Sequence, residues 1–433
     1  MTTPLLEKFR DASRRFGHAR DGSTVITFAL AFIPLVGLTG AAVDYSRALQ
    51  LQTSMQAAAD TTALMVAQSA ASQNSSQVQT ATDRFYKGLF ANPAATNLQV
   101  TGTYSNNGGS TVYVKATAAY NTSFMGVVGF RTLPLAADST ASFGNTRLRV
   151  ALVLDNTGSM NDDGKIGALK TATKNLLDQL KAAAINNGDV YVSIIPFSKD
   201  VNLGSRNYNA SWIDWTDWDA KNQVCGWNGN GCKPANHNTW NGCVMDRGRS
   251  NGPSGNNYDT NVVAPNNSNS RKYAAEQYSG CPTAVMGLNY DWTSMKSLVD
   301  DMSPGGNTNQ GIGLQVGWMS LVGGGPFTVP AETTGYTYQH VIILLTDGLN
   351  TQNRWYSDQA SIDGRQSMTC TNAKAAGVVL YTIQVNTGGD PTSNLLQGCA
   401  SDSSKFFLLT SASQIVSTFA QIGTNLSKLH IAK

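Results

Sequence analysis

The chain has 433 residues, of which 14% are charged, and a formal net charge of +3. That length exceeds one ordinary domain and predicts two or three. The near-neutral charge, with no long basic stripe, excludes a nucleic-acid partner. His18, His237, His340 and His430 lie far apart with no zinc spacing, and no Gly-x4-Gly-Lys-Ser/Thr phosphate loop is present. No paired acid and base emerge either, so the pattern argues for a binding protein rather than an enzyme. The 41 glycines and many asparagines favour an extracytoplasmic surface.

The first segment, residues 1–23, carries Lys8, Arg10, Arg14, Arg15 and Arg20. Residues 24–43 then hold no charge, about the twenty residues that span a bilayer. A cleaved signal peptide would have a shorter apolar region of about 7–15 residues. Here the helical pattern runs on without a break, which predicts an uncleaved anchor. The basic flank places the N-terminus in the cytoplasm and everything after residue 43 outside. Pro34 marks a site for a kink, which membranes tolerate.

Residues 44–147 form a stem and a small α+β region. Leu51, Met55, Ala58, Thr62 and Met65 recur at helical spacing and draw one weakly apolar stripe. It suits packing on a partner helix or on the chain's own domain. Asn92-Pro93 breaks the pattern. Residues 98–104 and 111–120 alternate as strands around Asn106-Asn107-Gly108-Gly109. Residues 124–130 are a short apolar segment, and 133–143 read as a further strand.

From residue 148 onward strands and helices alternate. Residues 148–154 are apolar apart from Arg149 and read as a strand buried on both faces. Strands follow at 190–197, 341–345, 378–385 and 405–409. Helical patterns fall at 166–180, 314–321 and 415–429. This alternation predicts an α/β domain over 148–433 with a doubly wound parallel sheet and helices on both faces. Residues 199–291 interrupt it with a stretch rich in Asn, Gly and Ser, holding Trp212, Trp215, Trp218, Trp227 and Trp240. These rings serve either as exposed anchors or as the filling of a small stapled core. The insertion also holds Cys225, Cys232, Cys243 and Cys281; Cys370 and Cys399 follow it. Outside the membrane an even set of six predicts disulfides, and grouping by segment gives Cys370–Cys399 plus two bridges within the insertion.

The chemistry concentrates where strands end. The first strand runs into Asp155-Asn156-Thr157-Gly158-Ser159, one carboxylate and two hydroxyls at alternate positions. Gly305-Gly306-Asn307-Thr308-Asn309 adds a third hydroxyl, and the strand at 341–345 ends in Thr346-Asp347-Gly348. Hard oxygen donors at the carboxyl edge of an α/β sheet suit Mg²⁺, Mn²⁺ or Ca²⁺.

Asp155-x-Thr157-x-Ser159, then Thr308, then Asp347 resembles the metal-ion-dependent adhesion site of von Willebrand factor A domains, with Thr157 in place of the first Ser. The resemblance implies a divalent cation, Mg²⁺ first, held by the hydroxyls of Thr157, Ser159 and Thr308. Asp155 and Asp347 would act largely through water, and an open position would accept a carboxylate from a protein partner. The N-terminal half resembles the TadE/TadG family of tight-adherence (Flp) pilus-assembly proteins. Asp21-Gly22-Ser23 before the span, Val43-Asp44-Tyr45 after it and Gln56-Ala57-Ala58-Ala59-Asp60 carry that likeness. It implies a single-pass protein of the bacterial inner membrane that works with other pilus-assembly proteins. A released adhesin and a minor pilin-like subunit are the alternatives. Against the latter, pilin-type precursors resemble one another in a Glu five residues past the cleavage glycine. Counting from Gly22, that position is Thr27, so residues 1–22 are expected to be retained.

Overall fold

A computed structural model describes residues 23–70, 73–105, 110–143, 146–184, 186–249 and 257–431. The basic residues before 21, Asp21-Gly22 and the turn at 106–109 lie outside the described residues. The chain divides into two compact units, Met1–Phe143 and Gly144–Lys433.

The first unit begins with one helix, α1 (Ser23–Ala70), which continues through Pro34. Its N-terminal half carries exposed apolar side chains, among them Phe28, Leu30, Leu35 and Leu38. Among the described residues it is the helix long and apolar enough to cross a membrane. Its C-terminal half is ordinary core. Ala48, Leu51, Met55, Ala59, Val66 and Ala70 are buried against an antiparallel sheet of β1 (Ala95–Ser105), β2 (Ser110–Asn121) and β3 (Thr132–Phe143). The stripe therefore packs on its own domain. It also departs from the expected line: Met65 is 42% exposed and Val66 is buried in its place. At about 100° per residue, the buried arc is centred on Ala48, Ala59 and Val66, and Met65 falls outside it. In β2, Val112, Val114, Ala116, Ala118 and Tyr120 alternate inward, which is the period of a half-buried strand.

A second helix, α2 (Ser75–Leu89), did not emerge from the periodicity. Its signal was a capping box: Asn74 accepts from the Gln77 amide while the Gln77 side chain accepts from the Asn74 amide. Val78, Thr82 and Tyr86 make its buried face, and Tyr86 Oη donates to the Met55 carbonyl at 3.0 Å.

The second unit is built on a mixed ten-stranded sheet. Five strands run parallel in the order β15 (Phe406–Leu409), β14 (Val379–Val385), β13 (Thr337–Thr346), β4 (Thr146–Asp155), β5 (Val190–Phe197). The rest of the sheet departs from a wholly parallel arrangement. The short strands β6 (Val201–Asn202), β7 (Ile213–Asp214), β10 (Cys243–Met245), β11 (Tyr273–Ala275) and β12 (Met286–Asn289) extend it beyond β5, mostly antiparallel. A separate hairpin pairs β8 (Gln223–Val224) with β9 (Lys233–Pro234). The polar stretch predicted as an interruption thus supplies the sheet's own edge, which sequence spacing could not reveal in strands of two or three residues.

Alternation along β4 sorts the two cores. Leu148, Val150, Leu152 and Leu154 face α3 (Lys165–Ala183), α5 (Trp292–Asp300) and α9 (Ser413–Ile431), meeting Leu169, Leu176, Met295, Phe419 and Ile422. Ala151 and Val153 face α6 (Gln310–Val322), α7 (Gln359–Ala375) and α8 (Asn394–Cys399). Along α6, residues 310–321 are all buried. A Cβ at Gly317 would lie 2.5 Å from Val153, so glycine sets how closely this helix approaches the sheet.

Three disulfides form: Cys225–Cys232, Cys243–Cys281 and Cys370–Cys399. The last ties α7 to α8 across 29 residues. Closing a loop of that length restricts the unfolded chain, so Cys370→Ser with Cys399→Ser is expected to cost about 3 kcal/mol. Urea unfolding of the double variant checks it; an unchanged midpoint would remove the bridge from the stability argument. The tryptophans divide. Trp218, on the short helix α4 (Thr216–Lys221), and Trp240 are buried, and Trp215 packs edge-on to both, so these fill a core. Trp227, inside the Cys225–Cys232 loop, is fully exposed.

Candidate metal centre

The parallel register of β4 and β13 pairs Leu154 with Leu345 and so brings the ends of the two strands side by side. Asp155 closes β4 and is fully buried. Its Oδ1 accepts from the Thr157 amide at 2.8 Å, an Asx turn that shapes the loop. Its Oδ2 accepts from Thr346 Oγ1 at 2.7 Å. Ser159 Oγ donates to Asp347 Oδ1 at 2.7 Å and lies 3.1 Å from Thr157 Oγ1. Four of the five residues singled out from sequence are thereby joined by side-chain contacts or a shared turn.

Thr308 joins through its backbone. Its loop is tied to the first by Gly158 N donating to Gly306 O and Gly305 N donating to Asn156 O. It is tied to the β13 side by Thr351 N donating to Thr308 O, while the Thr308 amide donates to Thr351 Oγ1. Asp155, Thr157, Thr308 and Asp347 are buried, whereas Ser159 is exposed, so the cluster has one side toward solvent.

Two residues that sequence reasoning missed complete the electrostatics. Thr346 hydrogen-bonds Asp155, as above. Lys165, the first residue of α3, is buried and places Nζ 2.6 Å from Asp347 Oδ2. Only its position ten residues after Asp155 hinted at this, and a lysine at a helix start is ordinary. Of the two buried carboxylates, Asp347 is thus paired with an internal cation, and Asp155 is held by Thr157 and Thr346. Burial, and then the neighbouring Asp347 charge, raise the Asp155 carboxyl to about 7 against the hydrogen bonds from Thr157 and Thr346.

The residues fit a hard divalent cation. Two carboxylates and two hydroxyls supply oxygen alone, and the carboxylate pair is short of positive charge. Among the described residues no group of three or more His, Cys, Asp or Glu side chains is placed to hold a metal, so any site here depends on hydroxyls.

The insertion buttresses the third loop. Tyr278 Oη accepts from the Asn307 amide at 2.9 Å. Gly306 has φ +81, and a Cβ there would lie 2.3 Å from Tyr278 Oη. Asn309 Nδ2 donates to Asp246 Oδ2 at 2.9 Å. Burial pushes the Asp246 carboxyl up to about 6 despite hydrogen bonds from the Arg354 amide and Asn309.

Fold and site therefore define a mixed α/β protein with an oxygen-donor cluster at the carboxyl edge of its sheet. Residues 22–71 match the family model described as "Putative Flp pilus-assembly TadE/G-like". No curated protein matches the chain. Solved structures similar to it include the pilus adhesin SpaC from Lactobacillus rhamnosus GG, at 15% identity and TM-score 0.38, covering 79% of this chain and 36% of that one. The chain thus spans about a third of that adhesin's length. The vWF domain of the type V pili tip protein Mfa5 from Porphyromonas gingivalis is similar at 9% identity and TM-score 0.40, covering 66% and 97%. Proximal thread matrix protein 1 from the mussel byssus, with a zinc-occupied MIDAS motif, is similar at 15% identity and TM-score 0.34, covering 65% and 46%.

Proposed function

We propose that this chain is a membrane-anchored, extracytoplasmic, metal-dependent binding protein that assists assembly or anchoring of a tight-adherence (Flp) pilus. Residues 1–23 are cytoplasmic, 24–43 span the bacterial inner membrane, 44–147 form the TadE/TadG-like stem, and 148–433 form a doubly wound, von Willebrand factor A-like domain. The observation that carries the binding reading is the cluster of Asp155, Thr157, Ser159 and Asp347, two buried carboxylates with hydroxyls and one solvent-facing side. Thr157, Ser159 and Thr308 hold the cation, most favourably Mg²⁺, with Mn²⁺ or Ca²⁺ as substitutes. Asp155 and Asp347 balance its charge. When bound, the ion supplies a Lewis-acidic position on the solvent side that takes a carboxylate from a protein partner, another component of the pilus machinery. The match of residues 22–71 to a pilus-assembly model supports the setting.

The sign of the pH dependence follows from Asp155. In the metal-free fold its pKa stands near 7, above the unfolded value near 4. Its contribution to stability is fully present below the unfolded pKa and is lost as pH rises through about 7. A cation reverses this, because it needs the ionised carboxylate and competes with the proton. Mg²⁺ affinity by calorimetry is therefore expected to fall about 20-fold from pH 7.5 to pH 5.5. Equal affinity at both values would argue against Asp155 as part of the site. The pilus role is tested by deleting the gene and counting surface filaments. Full piliation without the protein would sink that role.

A further inference from the structure

Between β2 and β3 the chain makes a short apolar loop, residues 122–131, within the first unit. Its neck is closed by Thr122, whose amide donates to the Arg131 carbonyl at 3.0 Å. Its centre is one turn of 3-10 helix, Met125–Val128. The loop is clamped onto α1. Asp44, buried on that helix, accepts from the amides of Ser123, Phe124 and Met125 at 3.0, 2.7 and 2.8 Å. A Cβ on Gly40 would lie 2.5 Å from Phe124 Cβ, so the helix and loop backbones approach closely.

This clamp sits at the end of the uncharged run, which finishes at Val43. Gly40 lies about 5 Å inside that end at 1.5 Å per residue. The sheet packs on α1 from Ala48 onward, so the loop emerges at the sheet's end nearest the apolar half of the helix. Its side chains suit lipid rather than water. Phe124 is 46% exposed, Val127 88% and Phe130 61%. Leu38 and Val43 on the neighbouring stretch of the helix are exposed as well. Around them stand the groups that favour headgroup depth: exposed Arg47, Arg131 and Tyr45.

We propose that residues 124–130 are a second membrane contact, an apolar wedge that enters the leaflet beside the span, with Arg47 and Arg131 at the lipid phosphates. The partner is a phospholipid bilayer surface. This rests on the reading that residues 24–43 cross a membrane. The wedge and the helix together would hold the first unit at a fixed height and tilt, since two contacts fix an orientation that one helix leaves free to rotate.

All six native cysteines are in disulfides, so an added cysteine is the sole free thiol. Val127→Cys, Leu30→Cys and Lys115→Cys are made in the full chain, labelled with an environment-sensitive NBD probe and reconstituted in phosphatidylcholine–phosphatidylglycerol vesicles. Leu30 reports on the span and Lys115, exposed on β2, on the aqueous side. The expected result is blue-shifted emission at positions 127 and 30, with quenching by spin-labelled lipid and loss of quenching by iodide. Position 115 should behave in the opposite way. Iodide quenching at 127 equal to that at 115, with 30 still in lipid, would overturn the wedge alone. Shielding of 127 from both quenchers would overturn it in favour of a protein partner. Iodide quenching at position 30 would instead remove the anchor reading and the wedge with it.

Discussion

Asp155→Ala is expected to weaken divalent-cation binding by about 100-fold while leaving the sheet folded. The carboxylate holds the first loop in shape through the Thr157 amide, fixes Thr346, and supplies half of the negative charge at the cluster. Removing it leaves Asp347 alone, already paired with Lys165. The fold should survive, because β4 is held by Leu148 to Leu154 on its two faces and not by its last residue. Calorimetric titration with Mg²⁺ and Mn²⁺, alongside circular dichroism, separates the two effects. Asp155→Asn keeps one oxygen to accept from the Thr157 amide, turns the contact with Thr346 into an Nδ2–H donated to its Oγ1, and removes the charge. If both variants bind metal like the wild type, the site assignment fails.

Lys165→Met is expected to act in the opposite direction on metal and to lower stability when metal is absent. Its ammonium stands 2.6 Å from Asp347 Oδ2 with both side chains buried, where an incoming cation would meet it. Deleting that charge removes a repulsion and frees a carboxylate oxygen, so Mg²⁺ affinity should rise about tenfold or more, at least 1.4 kcal/mol. Without metal, the variant leaves a buried carboxylate uncompensated, which costs about 3 kcal/mol. Thermal melts in chelator and in Mg²⁺ should therefore diverge more widely for the variant than for the wild type. Unchanged or weaker metal affinity in Lys165→Met would show that the lysine is a bystander to the cation.

Much of the second unit was legible because its signals are local. A run of alternately facing apolar residues, Leu148 to Leu154, cannot be satisfied except between two covered faces. The donors that follow it sit where the backbone must turn. The 190–197 strand was placed to the residue for the same reason. Grouping by segment gave Cys370–Cys399 and two bridges within the insertion; which of its four cysteines pair, Cys225 with Cys232 and Cys243 with Cys281, came from the fold. By contrast, α5 and α7 were passed over, because charged and polar residues interrupt their apolar faces.

The sequence alone determined the order of the long strands of both units, the uncharged twenty-residue run, and the donor types at 155, 157, 159, 308 and 347. Each of these is a property of neighbouring residues and a fixed period. Tertiary structure decided the rest. Which end of β13 meets Asp155 depends on the β4–β13 register, and that put Thr346 on its carboxylate. Lys165 became part of the cluster only because α3 starts beneath Asp347. Tyr278 and Asp246 support a loop some thirty to sixty residues away in sequence, reached through strands too short to show a period. Asp44 entered the sequence reading only within the Val43-Asp44-Tyr45 likeness, and only the folded chain gave it three amides to hold. Periodicity reports the face a residue occupies; it carries no information about the surface that face will meet.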